Sequence, residues 1–466
     1  MQTRLQLPVL FSILFLCNTA IQANIAHTIP EKLTPNNYAA PCEDISPQSQ
    51  LLINFQKALL KSPNNTLTLQ NNFWENIQKQ GTPIIEPINE TTSRLIFLWK
   101  DAQYNVRLIG GPSNDHEWLT RIKNTNIWFK EIVINNQYIG SYSVAVDVPN
   151  IDGYLSHYCP QLSPELKESR AQRRAIIDVQ TIDPFNKRRW LASEDTSTDL
   201  RNENIVALAQ APQYIDPQAY PEYPQPQIKK YSLKSQLLKN QRNIYIYQSK
   251  AKPNQSYITA LFFDGEEYNH LLNVSKALDI LVSQEKLPPI QVVFISHPNK
   301  SERAKELTPN AEYSQFFSQE LLPWIDQHLP NPRNQHKTVL LGSSLGGLSA
   351  AYLALENPQE ISHVVPLSGS FWWQKDTTDL PNGMSQIIRT RPHPKPQFWY
   401  ISANSLETSR NSNDLSILGS SPIVAEDLKS KGHHVIYKEY VGGHSYAVWQ
   451  VVLQNALIEF FSPSLH

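Results

Sequence analysis

The chain has 466 residues, 18% of them charged and 40% hydrophobic, with a formal net charge of −1. That length allows two or three domains with separate cores, and the balance fits neither a disordered chain nor a membrane protein. Near-neutrality excludes the basic, domain-wide footprint that holds nucleic-acid phosphates, so an anionic ligand would have to meet a local cluster of Arg and Lys.

The first stretch, MQTRLQLPVLFSILFLCNTAIQA, has one Arg, an apolar run from Leu7 to Leu16 and then small and polar residues. This order predicts a signal peptide over residues 1–23, cut after Ala23, and a protein that works in the periplasm or outside the cell without stable membrane insertion. The apolar run falls short of the ~20 residues that span a bilayer. Leu16 is too bulky for lipoprotein processing at Cys17. Cys42 and Cys159 remain after cleavage, an even pair that an oxidising compartment can join. Neither has a Cys or His neighbour at zinc spacing, so no metal site is expected.

Residues 24–84 read as a helical arm, with Leu51, Leu52, Phe55, Leu59 and Leu60 at helical spacing and FWENIQKQ stopped by Gly81 and Pro83. Residues 85–210 change to short alternating runs, among them SRLIFLWK, NIWFKEIVI and SYSVAVDV, between Gly, Asn, Asp and Pro clusters. That texture predicts an all-β sandwich of antiparallel strands. Trp99, Trp118 and Trp128 fit either a stacking platform for sugars or the core of such a sandwich, the core being the commoner fate. Five prolines within 211–227 predict an extended linker between domains.

Residues 228–466 alternate strand runs (NIYIY, YITALFF, IQVVFI, TVLLG, HVVPLS, QFWYIS, HVIYKEY) with helical segments near 270–284, 313–328, 345–356, 421–431 and 446–461. This is the pattern of an α/β domain with a mostly parallel sheet and helices on both faces. Pro323 should kink its helix. In such sheets, ligands bind beyond the carboxyl ends of the strands, so the residues just after each apolar run carry the chemistry.

Three of those positions form a constellation. Ser344 lies in Gly342-Ser343-Ser344-Leu345-Gly346, a G-x-S-x-G turn between a strand and a helix, where small neighbours permit a sharp nucleophile elbow. A serine hydroxyl needs a base, and His444 follows the last strand through Gly442 and Gly443. His433 and His434 precede that strand and fall at the wrong end of the sheet. The acid should follow QFWYIS, where Glu407 is the first carboxylate and Asp414 the alternative. An oxyanion hole needs two N–H donors: Leu345 supplies one, and the loop Asp264-Gly265-Glu266 the other, from Glu266 or its neighbour.

The segments FFDGEEY, RAKELTPNAEYSQFFSQELLPWI, LGSSLGGLSAAYLALENP, LSGSFWW and VGGHSYAVWQ together resemble the enterochelin (enterobactin) esterase family, within the esterase D-like α/β-hydrolases. GTPIIEPI, LIFLWKD and DPFNKRRW resemble the amino-terminal domain of the full-length esterases, so the likeness runs from about residue 70 to 464. The resemblance implies a β-sandwich before an α/β-hydrolase domain, and hydrolysis of the ester bonds of a ferric catecholate siderophore, the cyclic trilactone of dihydroxybenzoyl-serine. Ser344 would be the nucleophile and His444 the base, with Glu407 at the family's acidic position although SANSLETS departs from its usual glycine-containing loop. No cofactor is implied, and iron arrives only with the substrate. A trianionic, aromatic substrate calls for guanidinium groups and rings, for which Arg303, Trp372, Trp373 and Arg389 are the candidates. A feruloyl or acetyl-xylan esterase and a siderophore-binding protein without turnover are the rival readings.

Overall fold

The computed structural model describes residues 45–112, 117–151, 169–191, 202–252, 255–373, 383–392, 395–408 and 416–462. The expected signal peptide of residues 1–23, Cys42, Cys159 and Asp414 lie outside the described residues.

Two helices open the described chain, α1 (Gln50–Lys61) and α2 (Thr66–Gln80). The Ser49 hydroxyl caps α1 by accepting from the Leu52 amide, which satisfies one of the donors a helix start leaves open. Strands β1 (Ile84–Pro87), β2 (Thr92–Lys100), β3 (Val106–Gly110), β4 (Glu117–Trp118), β5 (Thr120–Arg121), β6 (Ile127–Asn135) and β7 (Ile139–Val146) follow. After them come α3 (Arg170–Asp178), β8 (Gln180–Thr181), β9 (Arg189–Trp190) and β10 (Glu203–Ala207). They form two sheets, in the orders β1-β2-β6-β5 and β4-β3-β7-β10-β9 with β8 against β7, and every pairing is antiparallel.

Alternation along β2 sends Leu95 and Phe97 between the sheets and Ile96 and Leu98 outward, where Phe73, Trp74 and Ile77 of α2 cover them. The arm is thus the lid on one outer face of the sandwich. Trp128 is buried in the inter-sheet core with Trp99 packed against it, whereas Trp118 is buried in a separate cluster with Ala145, Val148 and Ile176 of α3, so all three rings serve packing. Helix α3 was not visible in the strand texture of this region.

The Pro-rich segment 211–227 lies along the following domain instead of spanning open space. Ala211 and Ile215 are buried in that domain's core, and the Gln454 amide clasps the Ile215 backbone in both directions (2.8 and 2.9 Å).

The second domain holds one eight-stranded sheet: β11 (Ile228–Lys234), β12 (Gln241–Gln248), β13 (Ile258–Phe262), β14 (Ile290–Ile295), β15 (Thr338–Ser343), β16 (His363–Leu367), β17 (Phe398–Asn404) and β18 (His434–Tyr440). The order is β11-β12-β14-β13-β15-β16-β17-β18; β11 and β12 are antiparallel, and β14 onward are parallel. Its helices are α4 (Val274–Ser283), α5 (Lys300–Glu306), α6 (Ala311–Phe316), α7 (Leu322–His328), α8 (Leu345–Glu356), α9 (Gly383–Thr390), α10 (Ile417–Ser430) and α11 (Tyr446–Phe461). One face of the sheet buries α4 and α11, the other α6, α7, α8 and α10, and the near-continuous apolar strands are those of a sheet covered on both sides.

Pro323 does interrupt its helix, through a wide π turn at Phe317–Leu321 just before it that accommodates the missing N–H and the ring. Helix α10 begins at Ile417, four residues before the expected 421, because Ser416 caps it through the Gly419 amide (2.9 Å) and Pro422 is carried inside. No described helix is long and apolar enough to cross a membrane.

Candidate active site

Strand β15 sits centrally in the sheet, and Ser344 follows it directly at φ 57°, ψ −120°. A side chain rarely occupies that backbone region, and the surroundings enforce it. The Ser344 amide donates to the Leu367 carbonyl and its carbonyl accepts from Ser370 and Leu348 (3.0 Å each). A Cβ on Gly342 would stand 2.4 Å from the Gly346 carbonyl, so only glycine lets the turn close. Helix α8 starts at Leu345, whose N–H, like the others of a first turn, has no intrahelical acceptor and points with the helix dipole toward the turn.

His444 stands after β18 and Glu407 after β17, on adjacent parallel strands, so both reach the carboxyl edge that carries Ser344. Nδ1 of His444 is 2.7 Å from Oε1 of Glu407. A carboxylate here accepts, so Nδ1 carries the proton and Nε2 is left as a base. The other oxygen of Glu407 accepts from the Asn404 amide (2.8 Å), and the carboxyl is 2% exposed. Trp449 meets the His444 ring edge-on with centroids 4.8 Å apart. Its indole N–H donates to Ser368 (2.9 Å), which accepts also from Asn404 Nδ2 (3.1 Å), and that same amide nitrogen reaches the Gly443 carbonyl (2.9 Å). The Ser344 hydroxyl lies 3.3 Å from that of Ser370. Among the described residues no hydrogen bond joins it to His444, a gap typical of sites that tighten only around substrate.

The loop after β13 comes to the same edge. Asp264 adopts φ 55°, and a Cβ on Gly265 would meet the Ile295 amide at 2.6 Å, which packs the loop onto β14. The Glu266 carboxylate is turned away from the turn, toward Tyr245 (2.8 and 3.0 Å), Ser296 (3.1 Å) and His270 (3.1 Å). Asp264 is fully buried and takes a bidentate pair from Arg303 (2.5 and 2.8 Å), with His297 Nε2 at 3.3 Å. Burial alone would raise the Asp264 carboxyl; the guanidinium and His297 overcome it and hold it well below the usual range. His297 reaches Glu306 on its other side (3.4 Å), and Arg242 pairs with Glu306 (2.7 and 3.0 Å), so five ionisable groups form a chain behind the loop. Between two carboxylates His297 is pushed up despite its burial, and Glu306 is pulled down to about 2. Glu267, half-buried, is pushed up to about 7 by desolvation and by the Asp264 charge.

The substrate candidates divide. Trp372 is 46% exposed two residues after Ser370, and Trp373 packs half-buried on the sheet. Arg303 stands at the site, with its guanidinium engaged by Asp264 and its side chain 27% exposed. Arg389 does not share that edge, which corrects its expected place. It pairs with Asp427 (2.8 Å), and Lys431, three residues before β18 begins, donates to its carbonyl (2.9 Å). Helix α9 has run back along the sheet, so its last turn lies at the amino edge. His433 lies at that amino edge too, accepting from the Gln397 amide and the Trp399 indole (3.2 and 3.3 Å).

Sequence reasoning did not single out Ser370, Asn404, Ser368 or His297. Each lies at or just beyond a strand's carboxyl end, the position already known to matter, and polar type at that position was the available signal. Among the described residues no group of three or more His, Cys, Asp or Glu side chains is arranged to hold a metal ion.

Comparison with known proteins agrees with this layout. The family described as "Putative esterase" matches residues 235–460, and that described as "Enterochelin esterase, N-terminal" matches residues 94–216. The iron(III) enterobactin esterase of Escherichia coli K12 is 25% identical over 84% of this chain and 96% of its own. That of Yersinia enterocolitica is 27% identical over 68% and 90%. The crystal structure of the Shigella flexneri enterobactin esterase in the presence of enterobactin superposes with a TM-score of 0.68 at 22% identity, over 84% of this chain and 98% of that one. With both domains matched in order and the α/β-hydrolase layout at its carboxyl edge, the chain belongs to the enterochelin esterase family of carboxylic ester hydrolases.

Proposed function

We propose that this chain is a serine esterase that hydrolyses the lactone or ester bonds of a catecholate siderophore such as ferric enterobactin, and so promotes iron release. The observation that carries the chemistry is the His444–Glu407 contact at 2.7 Å, at the edge where Ser344 is held in its strained turn. Nε2 of His444 takes the Ser344 proton as the hydroxyl oxygen attacks the ester carbonyl. The oxyanion is met by the Leu345 amide and by the Asp264–Glu266 loop. His444 then returns the proton to the departing seryl oxygen, and water, activated by the same ring, releases the acyl group. These steps call on side chains and backbone of this chain alone, and iron enters as the substrate's cargo.

Relatives named for iron(III) enterobactin support the substrate class, as does the exposed Trp372 beside the nucleophile's loop. The apolar leader supports a periplasmic or secreted location. The test is product chromatography with ferric enterobactin, a linear catechoyl-serine ester and methyl ferulate, on the chain and on Ser344→Ala. Turnover of the first two that Ser344→Ala abolishes supports the reading. Preference for methyl ferulate, or turnover that survives the substitution, overturns it.

A further inference from the structure

The loop that carries His444 has a wall in each domain. Val441, Gly442 and Gly443 lead from β18 to His444, and on their far side lies the start of β7. The Ile139 amide donates across the domain boundary to the Val441 carbonyl (3.1 Å). A Cβ on Gly442 would stand 2.7 Å from the Ile139 carbonyl oxygen, and one on Gly443 would stand 3.6 Å from that of Gly111, so sandwich backbone and loop backbone touch. Gly442 in turn accepts from the amide of Leu406, the residue before Glu407, at 3.0 Å. Side chains cross in both directions. Ile139 is fully buried in the core of the hydrolase domain, whereas Leu406 and Val441 pack against the core of the sandwich.

We infer that Ile139 is a positioning residue: with β7 behind it, the sandwich domain holds the Glu407 and His444 loops in register, so the amino-terminal domain sets the geometry of the general base as well as flanking it. This rests on the reading of His444 as the base. The physical reason is rigidity. Loops beyond a sheet edge are cheap to move, while β7 is paired on both sides within the sandwich sheet and gives this loop a fixed backstop.

The test is steady-state kinetics of the full chain on ferric enterobactin with Ile139→Ala, Ile139→Val, His444→Ala and Ile96→Ala. Ile96 is equally buried in the sandwich but faces α1 and α2, away from the junction. Ile139→Ala should lower kcat by about tenfold to a hundredfold, the scale of a misplacement near 1 Å, with little change in KM. Ile139→Val should recover most of that loss, and Ile96→Ala should lower thermal stability while keeping kcat. If Ile139→Ala does not fold, Leu406→Ala reads the same junction from the hydrolase side with the same expectation. Unchanged kcat in Ile139→Ala, or an equal loss in Ile96→Ala, overturns the inference while His444→Ala is inactive. Activity in His444→Ala overturns the base assignment instead, and the inference with it.

Discussion

Replacing Glu407 by Gln offers a near-isosteric probe of the site, because each oxygen of the carboxylate already has one donor. Oε1 faces His444 Nδ1 at 2.7 Å and Oε2 faces the Asn404 amide at 2.8 Å. A glutamine can satisfy one of these donors but not both. If its oxygen stays with Asn404, its NH₂ meets Nδ1 and forces the ring proton onto Nε2, the nitrogen that must act as base. If its oxygen turns to His444, two donors oppose each other at a carboxyl position 2% exposed, which costs about 1–3 kcal/mol. The first arrangement avoids that cost, so the wrong tautomer should dominate. A wrong tautomer in such a triad costs about 10⁴-fold in kcat, and about 10³–10⁴-fold is expected here, equal to about 4–5.5 kcal/mol of transition-state stabilisation. The assay is kcat on ferric enterobactin and on a simple aryl ester, with Asp414→Asn alongside. A Glu407→Gln loss smaller than about tenfold, or a larger loss in Asp414→Asn, would refute the reasoning.

Arg303→Met should leave Asp264 buried without its guanidinium. Breaking a buried pair costs about 3–5 kcal/mol, and with Arg303 27% exposed and His297 still 3.3 Å away the lower end applies. A carboxyl held below its ordinary 3.8 stabilises the fold above that value and loses this as pH falls through its folded value. The deficit should therefore be large at pH 7 and shrink in acid as Asp264 in the variant protonates; denaturant unfolding across pH that showed a constant deficit would contradict this. Glu267 has the opposite sign: held up to about 7, it contributes stability below its ordinary 4.5 that is lost as pH rises through 7. Glu267→Gln cannot ionise, so its stability relative to the unaltered chain should climb between those values and then level, and a difference in melting temperature that is flat with pH would rule it out.

Most of the architecture was legible in the order of residues, for a physical reason. Strand runs alternating with helical periods admit one broad class of covered parallel sheet, and short antiparallel runs between turn residues admit a sandwich, so both domains could be read locally. Ser344 was legible because the elbow's steric demand falls on residues adjacent to it, Gly342 and Gly346. His444 and Glu407 could be placed because the edge rule needs only the ends of strands. That these two side chains meet depends on β17 and β18 being neighbours in parallel register, which no local pattern contains. The same holds for Arg303. Its charge suggested a ligand, but a carboxylate 39 positions earlier in the chain, Asp264, was buried against it, and a buried charge takes the nearest partner. Arg389 failed for a similar reason, since the distance to a strand end in sequence does not say which way the next helix runs. Composition and periodicity therefore determined the elements, the turn chemistry and the candidate edge. Tertiary packing alone decided which charged groups neutralise one another, which groups face His444, and that the sandwich's Ile139 closes the wall behind it, because those contacts join residues from tens to hundreds of positions apart.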